Sequence, residues 1–243
     1  MKKANVRELV WKDLIKVARP DSRYHFNFNE YIPDFEGSTK ATVRLMRTSY
    51  YQRAKTIFVT PDNCLESLRA RTLLDRKTQV ISTYGIRRGF VKLSPKDVPD
   101  YLARYAVLLD VMEEVGHYVN LTVLKERKTK FDCMITGASA VNTQGVRFGK
   151  GHGFFDLEWA MLYAIGAVDV NTPVIALVHD CQVVDLKFDL SPFDTVCDLI
   201  VTPTQMIEIQ NPQKPTEGVI WDELESDMME KLPMLQELKT IKD

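Results

Sequence analysis

The chain lacks most of the features that would assign a function quickly. Its four cysteines, Cys64, Cys133, Cys181 and Cys197, form no C-x-x-C pair. That excludes a zinc ribbon and a thioredoxin-type redox motif. Cys133 and Cys197 stand in apolar, strand-like segments and read as small buried hydrophobes in a reducing, cytoplasmic setting. No apolar run is long enough to span a bilayer, and the charged first residues carry no apolar signal core. An excess of charge is missing too, with 32 Lys+Arg against 33 Asp+Glu. No global electrostatic case for nucleic acid follows, and only a local basic patch could act that way. There is no Walker A motif, because no glycine pair is spaced by four residues ahead of Lys and Ser or Thr. Internal repeats and low-complexity segments are absent.

What the chain does have is a glycine-rich stretch, Arg147-Phe148-Gly149-Lys150-Gly151-His152-Gly153-Phe154-Phe155-Asp156. An apolar segment, 131–135, precedes it and a helical pattern, 157–165, follows. Strand, turn, glycine loop and helix in that order make an anion-binding device. Exposed backbone N–H groups and the positive helix end face the ligand, and glycine lets the backbone approach closely. The long connection 136–148 separates this loop from a dinucleotide fingerprint, in which the first glycine follows the strand almost directly. Taken alone, the loop reads equally well as a phosphate site or as a flexible, solvated connection.

With 243 residues, 45% of them hydrophobic, the chain suits one α/β domain with an appendage. The expected division is an α/β domain over 1–210 and a helical C-terminal extension over 211–243. Apolar spacing predicts a first helix from Val6 to about Ala18, with Lys3, Arg7 and Trp11 on one face. Residues 21–37 read as an ordered loop packed by aromatic rings. Strands are expected at 55–60, 79–82, 119–123, 131–135, 173–178 and 199–202. Helices are expected at 39–47, 65–76, about 95–112 and 221–238. The strand–helix–strand unit from 55 to 82 implies a parallel sheet with a right-handed crossover. His179 and Asp180, at a strand end, are candidates for facing a ligand.

These residues carry a resemblance. The segment from Asp132 to Pro203 resembles the 5-formyltetrahydrofolate cyclo-ligase family, whose hallmark is an Arg and then Gly-Arg-Gly-Lys-Gly-Tyr-Tyr-Asp. Here it stands as Arg147 and Gly149-Lys150-Gly151-His152-Gly153-Phe154-Phe155-Asp156. Gln182, Asp194 and Asp198 match the family's downstream Gln and acids, and Lys3 and Arg7 match a pair that opens its first helix. Ile32-Pro33-Asp34-Phe35-Glu36-Gly37, Asp156-Leu157-Glu158 and the 178–185 stretch are similar to the methenyltetrahydrofolate synthetase domain-containing branch.

The resemblance implies a mainly parallel, doubly wound α/β sheet, similar to sugar-phosphate isomerase and CoA transferase folds. It implies ATP- and magnesium-dependent conversion of 5-formyltetrahydrofolate to 5,10-methenyltetrahydrofolate. Arg147, Lys150 and His152 would be catalytic. Lys3, Arg7, Gly149, Gly151, Gly153, Phe154 and Phe155 would hold the nucleotide, and Asp156 and Asp198 the magnesium. Reduced folate and ATP are the expected partners, with no membrane and no nucleic acid, since no RNP-like aromatic run stands in the chain. Three departures bear on activity. His152 replaces a loop lysine, Phe154 and Phe155 replace two tyrosines, and Asn63 stands where the family places a glutamate near the folate. They open a second expectation, a member that binds a nucleotide or another phosphate ligand in a regulatory or different metabolic, for instance thiamine-linked, role.

Overall fold

The computed structural model describes residues 3–187, 190–224 and 227–241, with side chains from Asn5 onward. Strands in chain order are β1 (Thr56–Val59), β2 (Thr78–Ser82), β3 (Phe90–Leu93), β4 (His117–Val119), β5 (Cys133–Thr136), β6 (Ala140–Asn142), β7 (Arg147–Phe148), β8 (Val174–Leu177), β9 (Val183–Val184), β10 (Leu199–Val201) and β11 (Met206–Glu208). The α-helices are α1 (Lys3–Leu14), α2 (Ser38–Met46), α3 (Ser49–Arg53), α4 (Glu66–Leu74), α5 (Met112–Val115), α6 (Leu121–Glu126), α7 (Phe154–Ala164), α8 (Met228–Lys231) and α9 (Pro233–Thr240).

Eight strands form one sheet in the order β11-β10-β8-β5-β1-β2-β3-β4, and β7-β6-β9 form a small second sheet. The five central strands, β10 to β2, run parallel, and β11, β3 and β4 add antiparallel edges. Every residue of β5 and β8 is buried, as expected where helices cover both faces of a parallel sheet. On one face Phe58 and Met134 pack with Trp159 and Leu162 of α7. On the other, Ile57, Val59 and Ile135 pack with Ala41 and Leu45 of α2 and Leu65 and Leu68 at the start of α4. The doubly wound architecture read from the sequence is therefore the one observed.

Three local expectations are corrected. The connection 136–148 holds β6 and β7, joined by a turn in which the Asn142 carboxamide oxygen accepts from the N–H groups of Gln144 and Val146. Gly145 closes that turn at φ +83, where an added Cβ would lie 2.7 Å from the Cys197 carbonyl. Residues 95–111 fold into turns and a 3-10 segment at Asp100–Leu102, with α-helix only at Met112–Val115. The anticipated strand at 119–123 gives way to α6, because Asn120 caps it by accepting from the Val123 N–H.

The tail is broken rather than one helix: Pro233 sits at the N1 position of α9, where it starts a helix and cannot continue one from α8. Leu232, Met234 and Leu235 are buried in the same core as Trp159. The Glu237 carboxylate accepts from the Leu121 and Thr122 N–H groups at the start of α6, at 3.2 and 2.8 Å. Glu237→Ala is expected to lower unfolding stability by about 1–2 kcal/mol, since it strips a cap from orphan helix donors. A denaturant midpoint unchanged from the parent would show that the tail does not brace α6.

Candidate functional site

The central strands end on one cavity of about 780 Å³. Thr60 and Asp62 after β1, Thr83 and Tyr84 after β2, and Thr136 and Gly137 at the end of β5 line it, together with the glycine loop. This is the carboxyl end of the sheet, where open α/β folds bind ligands.

The loop is held at both ends. Arg147 Nη2 donates to Asp156 Oδ1 at 2.8 Å, both residues are buried, and the Phe155 ring lies 4.1 Å from the guanidinium carbon. Asp156 Oδ1 also accepts from the Thr195 N–H. Burial raises the Asp156 carboxyl above its ordinary range, against the pull of Arg147 and the Thr195 N–H. Between these anchors, Gly151 adopts φ +115 and Gly153 φ +66, conformations that disfavour a side chain. A Cβ added at Gly149 or Gly153 would meet nothing within 4 Å, so the loop has open space beside it at both glycines.

Cations converge on the loop from distant parts of the chain. The Arg7 guanidinium comes within 3.2 Å of where a Gly151 Cβ would be. Burial lowers the Arg7 pKa. Lys150 Nζ donates to the Glu30 carbonyl at 2.8 Å and lies 4.7 Å from the centre of the Tyr84 ring. Burial lowers its pKa too, with Asp62, Glu30 and Glu158 acting in opposition. The Lys3 side chain lies outside the described residues. His152 is exposed, its ring 5.3 Å from that of Phe154.

Aromatic rings make the opposite wall. Tyr24 stacks on Tyr31 and Tyr84 at 6.1 and 5.8 Å, which gives the aromatic-rich 21–37 segment its job. Asn63 Nδ2 donates to Asp21 at 2.8 Å. Burial opposes ionisation of Asp21, yet hydrogen bonds from Arg23 and Asn63 hold its carboxyl well below the usual range. Asp62 accepts from Thr60 and from the Gly137 N–H. A second cavity of about 640 Å³ lies across the loop, sharing Gly151, His152, Gly153 and Asp156 and lined by apolar residues such as Leu157, Val219, Leu224 and Met228.

Not every expected residue joins the site. Asp198 precedes β10, at the opposite end of the sheet, where its Oδ2 accepts from the Val174 N–H and pairs with Lys214 Nζ at 2.7 Å. It cannot share a magnesium ion with Asp156, and Asp156 already gives Oδ1 to Arg147 and Thr195. Among the described residues no cluster of three His, Cys, Asp or Glu could hold a metal. The expected magnesium pair therefore does not fit. The open loop and its two flanking cations have the chemistry that suits an anion. His179 and Asp180 do not line the cavity at the glycine loop: His179 caps the 3-10 turn Asp180–Gln182, and Asp180 accepts from Thr202 and Thr204.

Sequence reasoning missed Asp62, Arg23 and Glu158 as cavity residues. Glu158 had a readable signal. It is a lone charge in an apolar helical run, four residues after Phe154 and so on the same helix face.

A mostly parallel sheet with a cation-flanked glycine loop opening a helix at its carboxyl end places the chain among the open α/β proteins. More specifically, a model of the 5-formyltetrahydrofolate cyclo-ligase family matches residues 1–203, and the chain belongs to that family. The methenyltetrahydrofolate synthase domain-containing protein of Homo sapiens is 32% identical over 246 residues, covering 98% of this chain and 61% of that protein. Its Danio rerio counterpart is 31% identical, covering 98% and 62%. The chain thus spans about three-fifths of the length of these relatives. The NMR structure of Aquifex aeolicus 5,10-methenyltetrahydrofolate synthetase shares the fold at a TM-score of 0.54 and 17% identity, over 88% of this chain and 96% of that one.

Burial raises the Glu158 carboxyl to about 8, from an ordinary value of 4.5. Between those values the folded state holds a proton that the unfolded chain releases. Stability is then fullest below pH 4.5 and is lost as pH rises towards 8, by up to about 1.4 kcal/mol per pH unit. Glu158→Gln is expected to remove that slope and to be the more stable protein at pH 8. Parallel stability–pH curves for the two proteins would contradict this.

Proposed function

We propose that this chain is an ATP-dependent cyclo-ligase acting on 5-formyltetrahydrofolate. The observation that carries the reading is the meeting of Arg7 and Lys150 at an open glycine loop beside an aromatic-walled cavity. In the proposed reaction the formyl oxygen attacks the γ-phosphorus of ATP and ADP leaves. The 10-nitrogen then attacks the activated formyl carbon and loses its proton. Phosphate departs and the 5,10-methenyl ring closes. Phosphoryl transfer needs positioning and cations where charge develops, and little covalent chemistry from the protein.

Lys150 and Arg7 would hold the phosphates against the backbone N–H groups of Gly149, Gly151 and Gly153, with Lys3 opening the same helix as Arg7. The folate would occupy the cavity of Tyr24, Tyr31 and Tyr84, and the nucleotide base the apolar cavity across the loop. The loop itself would stand where the two ligands meet. Magnesium would arrive with the nucleotide, since the described residues offer no built cage, and no step is assigned to it. The described cysteines are free, in keeping with a reducing, cytoplasmic setting.

A second reading rests on His152, Phe154 and Phe155. His152 is exposed and shorter than lysine, and two hydroxyls are gone from the loop. It makes the chain a nucleotide or phosphate-ligand binder without turnover. Protein mixed with ATP, magnesium and 5-formyltetrahydrofolate should gain methenyl absorbance. Lys150→Ala should slow that by about a hundredfold or more, the scale of a lost charge-stabilising donor. His152→Lys should raise the rate. A flat trace from folded protein that ATP still stabilises against heat would decide for the second reading.

A further inference from the structure

Three buried polar atoms on the wall of the 780 Å³ cavity, Glu158 Oε2, Ser82 Oγ and Arg147 Nε, make no hydrogen bond of ordinary geometry, and the Glu158 carboxyl has only the Ser82 hydroxyl within its reach. Buried polar groups are ordinarily satisfied, because an unmade hydrogen bond in a dry interior costs about 1–3 kcal/mol. Glu158 is 2% exposed and Ser82 fully buried, so bulk water does not serve them. Among the described residues no lysine or arginine forms a salt bridge with Glu158, whereas the neighbouring Asp156 is paired with Arg147. A carboxyl left this way on a cavity wall is shaped for something that enters the cavity.

The charge layout says what that is. Anions are drawn to the loop side, where Arg7 and Lys150 stand. The far side holds Asp62, which repels a second anion, and Glu158, whose buried carboxyl keeps its proton until a donor reaches it. Between the two, Tyr24, Tyr84 and Phe154 offer flat apolar walls. A ligand that suits all three regions has an anionic end, a flat ring system and a far edge rich in hydrogen-bond donors.

We propose that Glu158, with Ser82 beside it, is a specificity-determining pair that reads the donor edge of a planar nitrogen heterocycle, one carrying a ring N–H next to an exocyclic amino group. Donors brought against the carboxyl favour its ionised form, which accepts from them, and the Ser82 hydroxyl completes the edge. This rests on the cavity being the folate side of the site proposed above, and it assigns the recognition of the ring to a residue of α7.

The test uses pterin (2-amino-4-oxopteridine) and quinoxaline, a flat bicycle of similar size with acceptors and no N–H. Binding is read by titration calorimetry and thermal shift on the full chain, without ATP. Pterin should bind the parent protein at least about tenfold more tightly than quinoxaline. Glu158→Leu should abolish that preference while leaving the thermal shift given by ATP intact, which also certifies the fold. Glu158→Gln, whose amide oxygen still accepts, should keep part of it. Equal binding of the two bicycles to the parent, or an unchanged preference in Glu158→Leu, overturns the assignment. Pterin preference without turnover of 5-formyltetrahydrofolate removes the proposed activity and leaves Glu158 its role.

Discussion

Arg147 and Asp156 stand nine residues apart on either side of the glycine loop, and their buried ion pair holds it closed at the base. One partner opens β7 of the small sheet and the other lies in the first turn of α7, so the pair ties strand to helix across the loop. Phe155 lies against the guanidinium and keeps water from it. Such a pair adds little net stability over an apolar substitute, but losing one partner strands a buried charge at about 3–5 kcal/mol. Its value is geometric. It leaves open space beside Gly149 and Gly153 while both ends of the loop remain fixed.

The cations that serve the loop come from far away in the chain, and the fold explains how. Val6 and Val10 of α1 are buried against Ala140, Val146 and Phe148 of the small sheet. That packing lays Arg7 over Gly151. Lys150 is drawn across the cavity to Glu30 and the Tyr84 ring, which ties the loop to the aromatic segment. Burial makes both cations less basic than usual, and among the described residues neither forms a salt bridge with a carboxylate, which leaves them open to an anion. The same cavity puts unpartnered polar atoms on its floor. Charge of one sign at the mouth and acceptors at the base give it a direction.

Much of this was legible in the sequence, and what was not has physical causes. The β1–α4–β2 unit could be read because short apolar runs bounded by turn residues have few alternatives. The glycine loop could be read because three glycines around Lys150 serve no packing purpose. Asp198 misled because an acid near a strand gives no sign of which end of the sheet it occupies. Only the register with β8 reveals that it pairs with Lys214, away from the site. The helix expected over 221–238 failed at Pro233, whose preference for a helix start outweighed the apolar spacing. Asp62 was hidden beside Asn63: that its carboxylate also lines the cavity depends on the Gly137 N–H, seventy-five positions away.

The central claim is that the backbone of residues 149–153, flanked by Arg7 and Lys150, receives phosphate. Amide hydrogen exchange with and without magnesium–ATP reads that backbone directly. The account predicts slowed exchange across 149–153 and the first turn of α7, with little change at the Asp198 end of the sheet. Binding of ATP with no protection in the loop, or with protection centred elsewhere, would contradict it.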